Sequence, residues 1–274
     1  MDAAAARPAR ETIVRETIVR VELGTEAHPV LIGWCLWHTG DLSGGEHSYA
    51  ALTEAGPVLI DPNAPTGAAA ARLWGLLDRP PVATVLTSDW HERDAYRLRA
   101  QWGAPVWGPA AGLPERGGEF DGRPDHAFED GAALPGGLRA IKIAGGWIRG
   151  ETVLAWRAPG GAAVLFTGDM LNGQSNPAHP QPYAWRRAPG LYAGVRHRYF
   201  VRSPERMPDP RTLQAGLRRL LPEAVDLVCG GHGAPYGGGP GEDAAAALAR
   251  LLAMDWTPAL AAGGVPGGPV PPRP

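Results

Sequence analysis

Short apolar runs separated by Gly- and Pro-marked turns carry most of the chain, and four stretches instead read as helices. The pentapeptide Glu-Thr-Ile-Val-Arg occurs twice over residues 11–20. Its β-branched content predicts a strand from about Thr12 to Leu23. So short a duplication does not imply a repeat architecture. Val30 to Trp37 reads as a second strand, entered from Pro29, and a Gly-rich turn follows over 40–45. His47 to Leu52 and Pro57 to Ile60 then form a hairpin about Glu54-Ala55-Gly56. An Ala- and Leu-rich helix is predicted from Thr66 to Leu77, a strand over Val82 to Leu86, a helix over Ala95 to Trp102 and a short strand over Ala104 to Trp107. Residues 108–136 are rich in Gly and Pro and read as a surface loop. Leu138 to Ile143, Glu151 to Trp156 and Ala162 to Phe166 are three further strands. A helix from Pro210 to Leu221, a strand from Val225 to Cys229 and a helix from Gly241 to Trp256 complete the pattern.

The order is β-rich, then βαβ, then β-rich again, then αβα. A doubly wound sheet would repeat βα units throughout. The pattern instead predicts an α+β fold, an αββα sandwich of two mixed sheets packed face to face with helices outside. Residues 11–256 are expected to form a single domain. Residues 1–10 and the Pro/Gly-rich tail 257–274 lack the apolar content to pack and are expected to be disordered. Residues 172–209 have no periodicity but are dense in Pro and aromatics, among them Tyr183, Trp185, Tyr192, Tyr199 and Phe200. They read either as a lid-like insertion or as an ordered surface excursion that packs or dimerises.

Composition narrows the partners. A net charge of −2 provides no field for steering nucleic acid or an acidic membrane. No run approaches the roughly 18 apolar residues of a membrane span, and Met1 to Arg10 lack the apolar centre of a signal peptide. Cys35 and Cys229 each sit inside an apolar strand-like run, which suits buried thiols rather than a disulfide framework. A cytoplasmic address and a small-molecule substrate or ligand are therefore expected, with no nucleic acid and no membrane partner; the oligomeric state stays open.

Candidate chemistry gathers at three strand ends. Thr87-Ser88-Asp89-Trp90-His91-Glu92-Arg93-Asp94 joins a strand to a helix, Ala163 to Phe166 runs into Thr167-Gly168-Asp169, and Val225 to Cys229 runs into Gly230-Gly231-His232. If the three ends meet, one site holds His91, Asp94, Asp169 and His232. No Gly-x-Gly-x-x-Gly, P-loop or Gly-x-Ser-x-Gly motif follows a strand, so nucleotide and serine-hydrolase chemistry lack their usual supports.

Three stretches in order, HSYAALTEAGPVLIDP at 47–62, AAVLFTGDML at 162–171 and VDLVCGGHGAPY at 225–236, resemble the metallo-β-lactamase fold superfamily over roughly residues 20–255. The resemblance implies that Asp169 stands at the place of a metal-bridging Asp and His232 at that of the last His ligand. The superfamily's His-x-His-x-Asp-His motif is degenerate here. With one inserted residue it falls on Ser88, His91, Arg93 and Asp94, and the middle histidine expected near 145–150 is missing from Gly145-Gly146-Trp147-Ile148-Arg149-Gly150. The reduced set His91, Asp94, Asp169 and His232 suits at most one divalent metal (Zn, Mn or Fe), or none. In the metal-free case Arg93 would pair with Asp94 or Asp169 and replace the cation's charge. Trp90 and Trp147 are expected to wall the pocket, and Asp61 either to cap a helix or to brace the site from behind. Two functions follow from the resemblance. One is a hydrolase in which metal-activated water attacks an ester, thioester, lactone or phosphoester. The other is a catalytically inactive small-molecule or protein-binding module with a metal-free, salt-bridged pocket.

Overall fold

The computed structural model describes residues 15–38, 45–118, 120–145, 150–172, 192–193, 210–238 and 243–257. The expected disordered start at 1–10, Trp147, residues 258–274 and nearly all of 172–209 lie outside them. Strands β1 (Arg15–Gly24), β2 (Pro29–His38), β3 (Glu46–Thr53) and β4 (Gly56–Ile60) make an antiparallel meander. Helix α1 (Gly67–Leu77) then crosses to β5 (Ala83–Val85), and α2 (Ala95–Trp102) crosses to β6 (Val106–Pro109). β5 and β6 are parallel additions, and β7 (His126–Phe128) is another. Together these strands form one seven-stranded sheet in sequence order.

The second sheet begins with β8 (Arg139–Lys142), β9 (Thr152–Arg157) and β10 (Ala163–Phe166), which pair antiparallel. β11 (Leu171–Asn172) and β12 (Tyr192–Ala193) form a separate two-stranded ribbon. After α3 (Pro210–Leu217) and a 3₁₀ turn at Arg218–Glu223, β13 (Leu227–Cys229) pairs parallel with β10, and β14 (Tyr236–Gly237) takes the edge. The order in this sheet is β14-β13-β10-β9-β8. Helix α4 (Ala244–Ala253) follows, its amino end capped by Asp243 Oδ1, which accepts from the Ala246 amide at 2.8 Å.

Period-two alternation decides which side chains meet. Val58 and Ile60 of β4, Leu154 and Trp156 of β9, Val164 and Phe166 of β10, and Leu227 and Cys229 of β13 fill the layer between the sheets. Their neighbours turn outward under helices. Leu59 meets Leu73 and Leu77 of α1 and Leu98 of α2. Val153, Leu165 and Val228 meet Leu213 and Leu217 of α3 and Leu248, Leu251 and Leu252 of α4. Covered on both faces, these strands read as continuous apolar runs in the sequence. The structure is the expected α+β sandwich of two mixed sheets with outer helices. One strand, β7, falls inside the stretch read as loop: three residues between Gly- and Pro-rich segments carry no measurable period, and only pairing with β6 makes them a strand.

Candidate functional site

Backbone hydrogen bonds draw the ends of six strands together. Asp61 N–H donates to the Val85 carbonyl at 3.2 Å, Thr152 N–H to Thr87 at 2.8 Å, Thr167 N–H to Cys229 at 2.9 Å, and His47 N–H to Gly231 at 2.9 Å. Gly231 N–H reaches the Gly168 carbonyl at 2.6 Å. This approach needs glycine. A Cβ on Gly231 would stand 2.8 Å from Asp169 Oδ1, and one on Gly168, whose φ is +51°, would stand 2.8 Å from Thr87 Oγ1.

At the centre His91 and His232 meet one carboxylate oxygen. His91 Nε2 and His232 Nε2 each lie 3.3 Å from Asp169 Oδ1. The opposite nitrogen of each ring is anchored. His91 Nδ1 sits 2.9 Å from Asp61 Oδ2 and 2.8 Å from Thr87 Oγ1, and His232 Nδ1 sits 2.8 Å from the Gly45 carbonyl. Those acceptors require the Nδ1–H tautomer, which leaves a lone pair on each neutral Nε2. Both nitrogens are within ion-pair range of Oδ1, yet neither is aligned to donate to it. This buried oxygen has no hydrogen-bond donor among the described residues. The oxygen calls for a positive species, which a protonated His91 supplies in the metal-free protein and a cation could supply in its place.

Asp61 braces the site from behind; the N-cap of helix α1 is Thr66. Asp61 is 3% exposed, its Oδ1 accepts from Thr87 N–H at 2.8 Å, and its Oδ2 accepts from Thr87 Oγ1 at 2.6 Å. Its backbone is left-handed, with φ +46°, as is that of Arg93 at +42°. Asp tolerates that region better than most residues, and the cost is about 1–3 kcal/mol at such a position. The conformation is held by Ser48 Oγ and the Arg93 guanidinium, both donating at 2.8 Å to the Asp61 carbonyl.

In the metal-free protein, burial opposes a charge on His91, but Asp61 and Asp169 outweigh it and raise the imidazole to about 10. Asp169 is held well below the usual carboxylate range: burial works the other way, and His232 and His91 overcome it.

Two expected members stand elsewhere. Asp94 Oδ2 accepts from the Ala64 amide at 2.7 Å and Oδ1 pairs with Arg97 at 3.1 Å, so its carboxylate ties the loop before α1 to helix α2 instead of joining the histidines. Arg93 pairs with neither Asp94 nor Asp169. It donates to the carbonyls of His47 and Asp61, fixing the backbone behind His91. Ser88 is fully buried and accepts from the Trp90 amide at 3.3 Å, while Trp90 keeps 37% of its surface exposed. Glu151 joins the site without having been singled out by the sequence. It is 1% exposed, and its Oε1 accepts from the Asp169 amide at 3.1 Å. Burial and then Asp169 push its carboxyl well above its ordinary value, partly offset by His91. The signal that could have found it is a carboxylate at the head of a largely buried strand.

Among the described residues no three or more His, Cys, Asp or Glu side chains form a ready-made cage for a metal ion. What is built is a pair of contacts on one oxygen. Each histidine Nε2 stands 3.3 Å from that oxygen. On donor chemistry and the orphaned oxygen, His91, Asp169 and His232 fit one divalent cation.

Structural comparison places the architecture. A metallo-β-lactamase from Pontibacter korlensis aligns over 86% of this chain and 97% of its own, with TM-score 0.52 and 15% identity. The DIM-1 metallo-β-lactamase aligns over 86% and 96%, with TM-score 0.54 and 12% identity. The chain has the metallo-β-lactamase fold. No family model matches it, and no curated protein does. Within the metallo-β-lactamase fold, then, the sheet ends of this chain carry the His91–Asp169–His232 meeting point. Among the described residues no helix is long and apolar enough to cross a membrane.

Proposed function

We propose that this chain is a hydrolase acting on an ester, thioester, lactone or phosphoester, with one divalent cation held by His91, Asp169 and His232. The observation that carries the reading is the shared Asp169 Oδ1, 3.3 Å from two histidine nitrogens and lacking a hydrogen-bond donor. A cation bound there would supply Lewis-acid polarisation and a water of near-neutral pKa. The chain's own residues do the positioning. Asp61 and the Gly45 carbonyl fix both imidazoles with Nε2 inward, the arrangement that orients ligating histidines. Asn172 Nδ2 donates to the Asp169 carbonyl at 3.1 Å, and its Oδ1 accepts from the His232 amide at 3.2 Å, tying the two ligand-bearing turns together.

The test compares chelated protein with protein reloaded with Zn, Mn or Fe(II), using p-nitrophenyl acetate, an acyl thioester, a homoserine-type lactone and bis-p-nitrophenyl phosphate. Hydrolysis that needs metal and disappears in Asp169→Ala supports the reading. Equal rates with and without metal, or none on any substrate, contradict it.

A second reading, a metal-free binding module, draws on the imidazolium that Asp61 and Asp169 favour at His91. The misaligned Nε2 contact weighs against it, because a proton on that nitrogen does not point at Oδ1.

A further inference from the structure

Glu151 is the buried group that the three-residue site leaves unexplained. It enters from the turn before β9, whose first residue, Thr152, donates its amide to the Thr87 carbonyl at the head of the loop that carries His91, and it is 1% exposed. One oxygen, Oε1, accepts from the Asp169 amide at 3.1 Å. The other, Oε2, is buried and has no hydrogen-bond partner among the described residues. Left without a donor, a buried carboxylate oxygen is costly unless the group keeps a proton or meets a positive species. Asp169 and His91 are also the two groups to which its charge couples most strongly. The division of labour within Glu151 is that of a ligating carboxylate, which commonly anchors one oxygen on a backbone amide and offers the other to the ion.

We propose that Glu151 Oε2 is a fourth ligand, completing a mononuclear centre of two histidines and two carboxylates with His91, Asp169 and His232. This rests on the metal-site reading above. It assigns the missing donor to the strand β9 side of the pocket, directly after the sequence stretch 145–150, which lacks a histidine. A two-His, two-carboxylate set is harder than the histidine-rich sets that favour zinc, and it shifts preference toward Mn and Fe(II).

The experiment titrates Mn(II) and Zn(II) into chelated wild type, Glu151→Gln and Glu151→Asp, reading affinity by calorimetry, fold by circular dichroism and the visible spectrum after Co(II) loading. Glu151→Gln should stay folded, lose affinity about 10–100-fold and change the Co(II) band intensities, with Glu151→Asp recovering part of the affinity. Unchanged affinity and an unchanged spectrum in Glu151→Gln overturn the assignment while leaving the three-residue site standing. Wild type that binds no metal overturns both. Should Glu151→Gln not fold, anomalous diffraction from metal-loaded wild type decides: a peak bonded to Glu151 Oε2 supports the assignment, and a peak ligated only by His91, Asp169 and His232 overturns it.

Discussion

Replacing Asp61 by Asn exchanges a buried charge for a neutral amide of nearly the same shape, and the structure sets what this does to metal-free protein. His91 Nδ1 lies 2.9 Å from Asp61 Oδ2, and both side chains are 5% exposed, so solvent screens the pair little. Burial disfavours the imidazolium, yet Asp61 and then Asp169 raise it from 6.5 to about 10. At about 1.36 kcal/mol per pKa unit, a rise of that size is worth about 5 kcal/mol. A basic group raised on folding contributes fully below its unfolded value near 6.5, and the contribution is lost as pH climbs through about 10. Chelated wild type should therefore lose on the order of 5 kcal/mol of stability between pH 6.5 and 10. With one of the two carboxylates neutral, Asp61→Asn should lose roughly half as much over that window. At pH 7 it should already be about 3–5 kcal/mol less stable, because one partner of a buried pair is gone. Urea unfolding in chelator at pH 6, 7, 8, 9 and 10 measures both effects. Parallel pH profiles for the two proteins would show that Asp61 does not hold a proton on His91, and the tautomer assignment at the site would fall with it.

Other outcomes follow from the same geometry. Gly231→Ala places a Cβ 2.8 Å from Asp169 Oδ1 and should cost about 1–3 kcal/mol in thermal unfolding, together with a loss of metal affinity; an unshifted Tm would contradict the close approach. Asp94→Ala removes the acceptor for the Ala64 amide and should cost about 1 kcal/mol while leaving metal content untouched; loss of metal would return Asp94 to the ligand set. Cys35 and Cys229 are 2% and 1% exposed, and burial pushes the Cys229 thiol well up, so a thiol reagent such as DTNB should label neither in native protein and both in urea.

The layers of the sandwich were legible because both faces of the central strands are buried, so Val58 to Ile60 and Ala163 to Phe166 stand out as apolar runs bounded by turns. His91, Asp169 and His232 were legible because each ends such a run. Asp94 misled, since a carboxylate at the last place of a motif looks the same in sequence whether it faces a metal or caps a neighbouring loop. Only the left-handed turn at Arg93 settles which way the chain leaves the site. Glu151 was hidden for the opposite reason: its partner is a backbone amide 18 positions away, and no spacing encodes that contact. Arg93 likewise bonds carbonyl groups, whose positions exist only after β3 and β4 pair.

Metal content decides most between a metallohydrolase and a salt-bridged pocket. Tag-free protein, purified without chelator, should carry close to one equivalent of Zn, Mn or Fe by ICP-MS, and the Asp169→Ala/His232→Ala variant should carry none while remaining folded by circular dichroism. Well-folded wild-type protein that holds no metal, and takes up none on dialysis against these ions, would contradict the proposed centre.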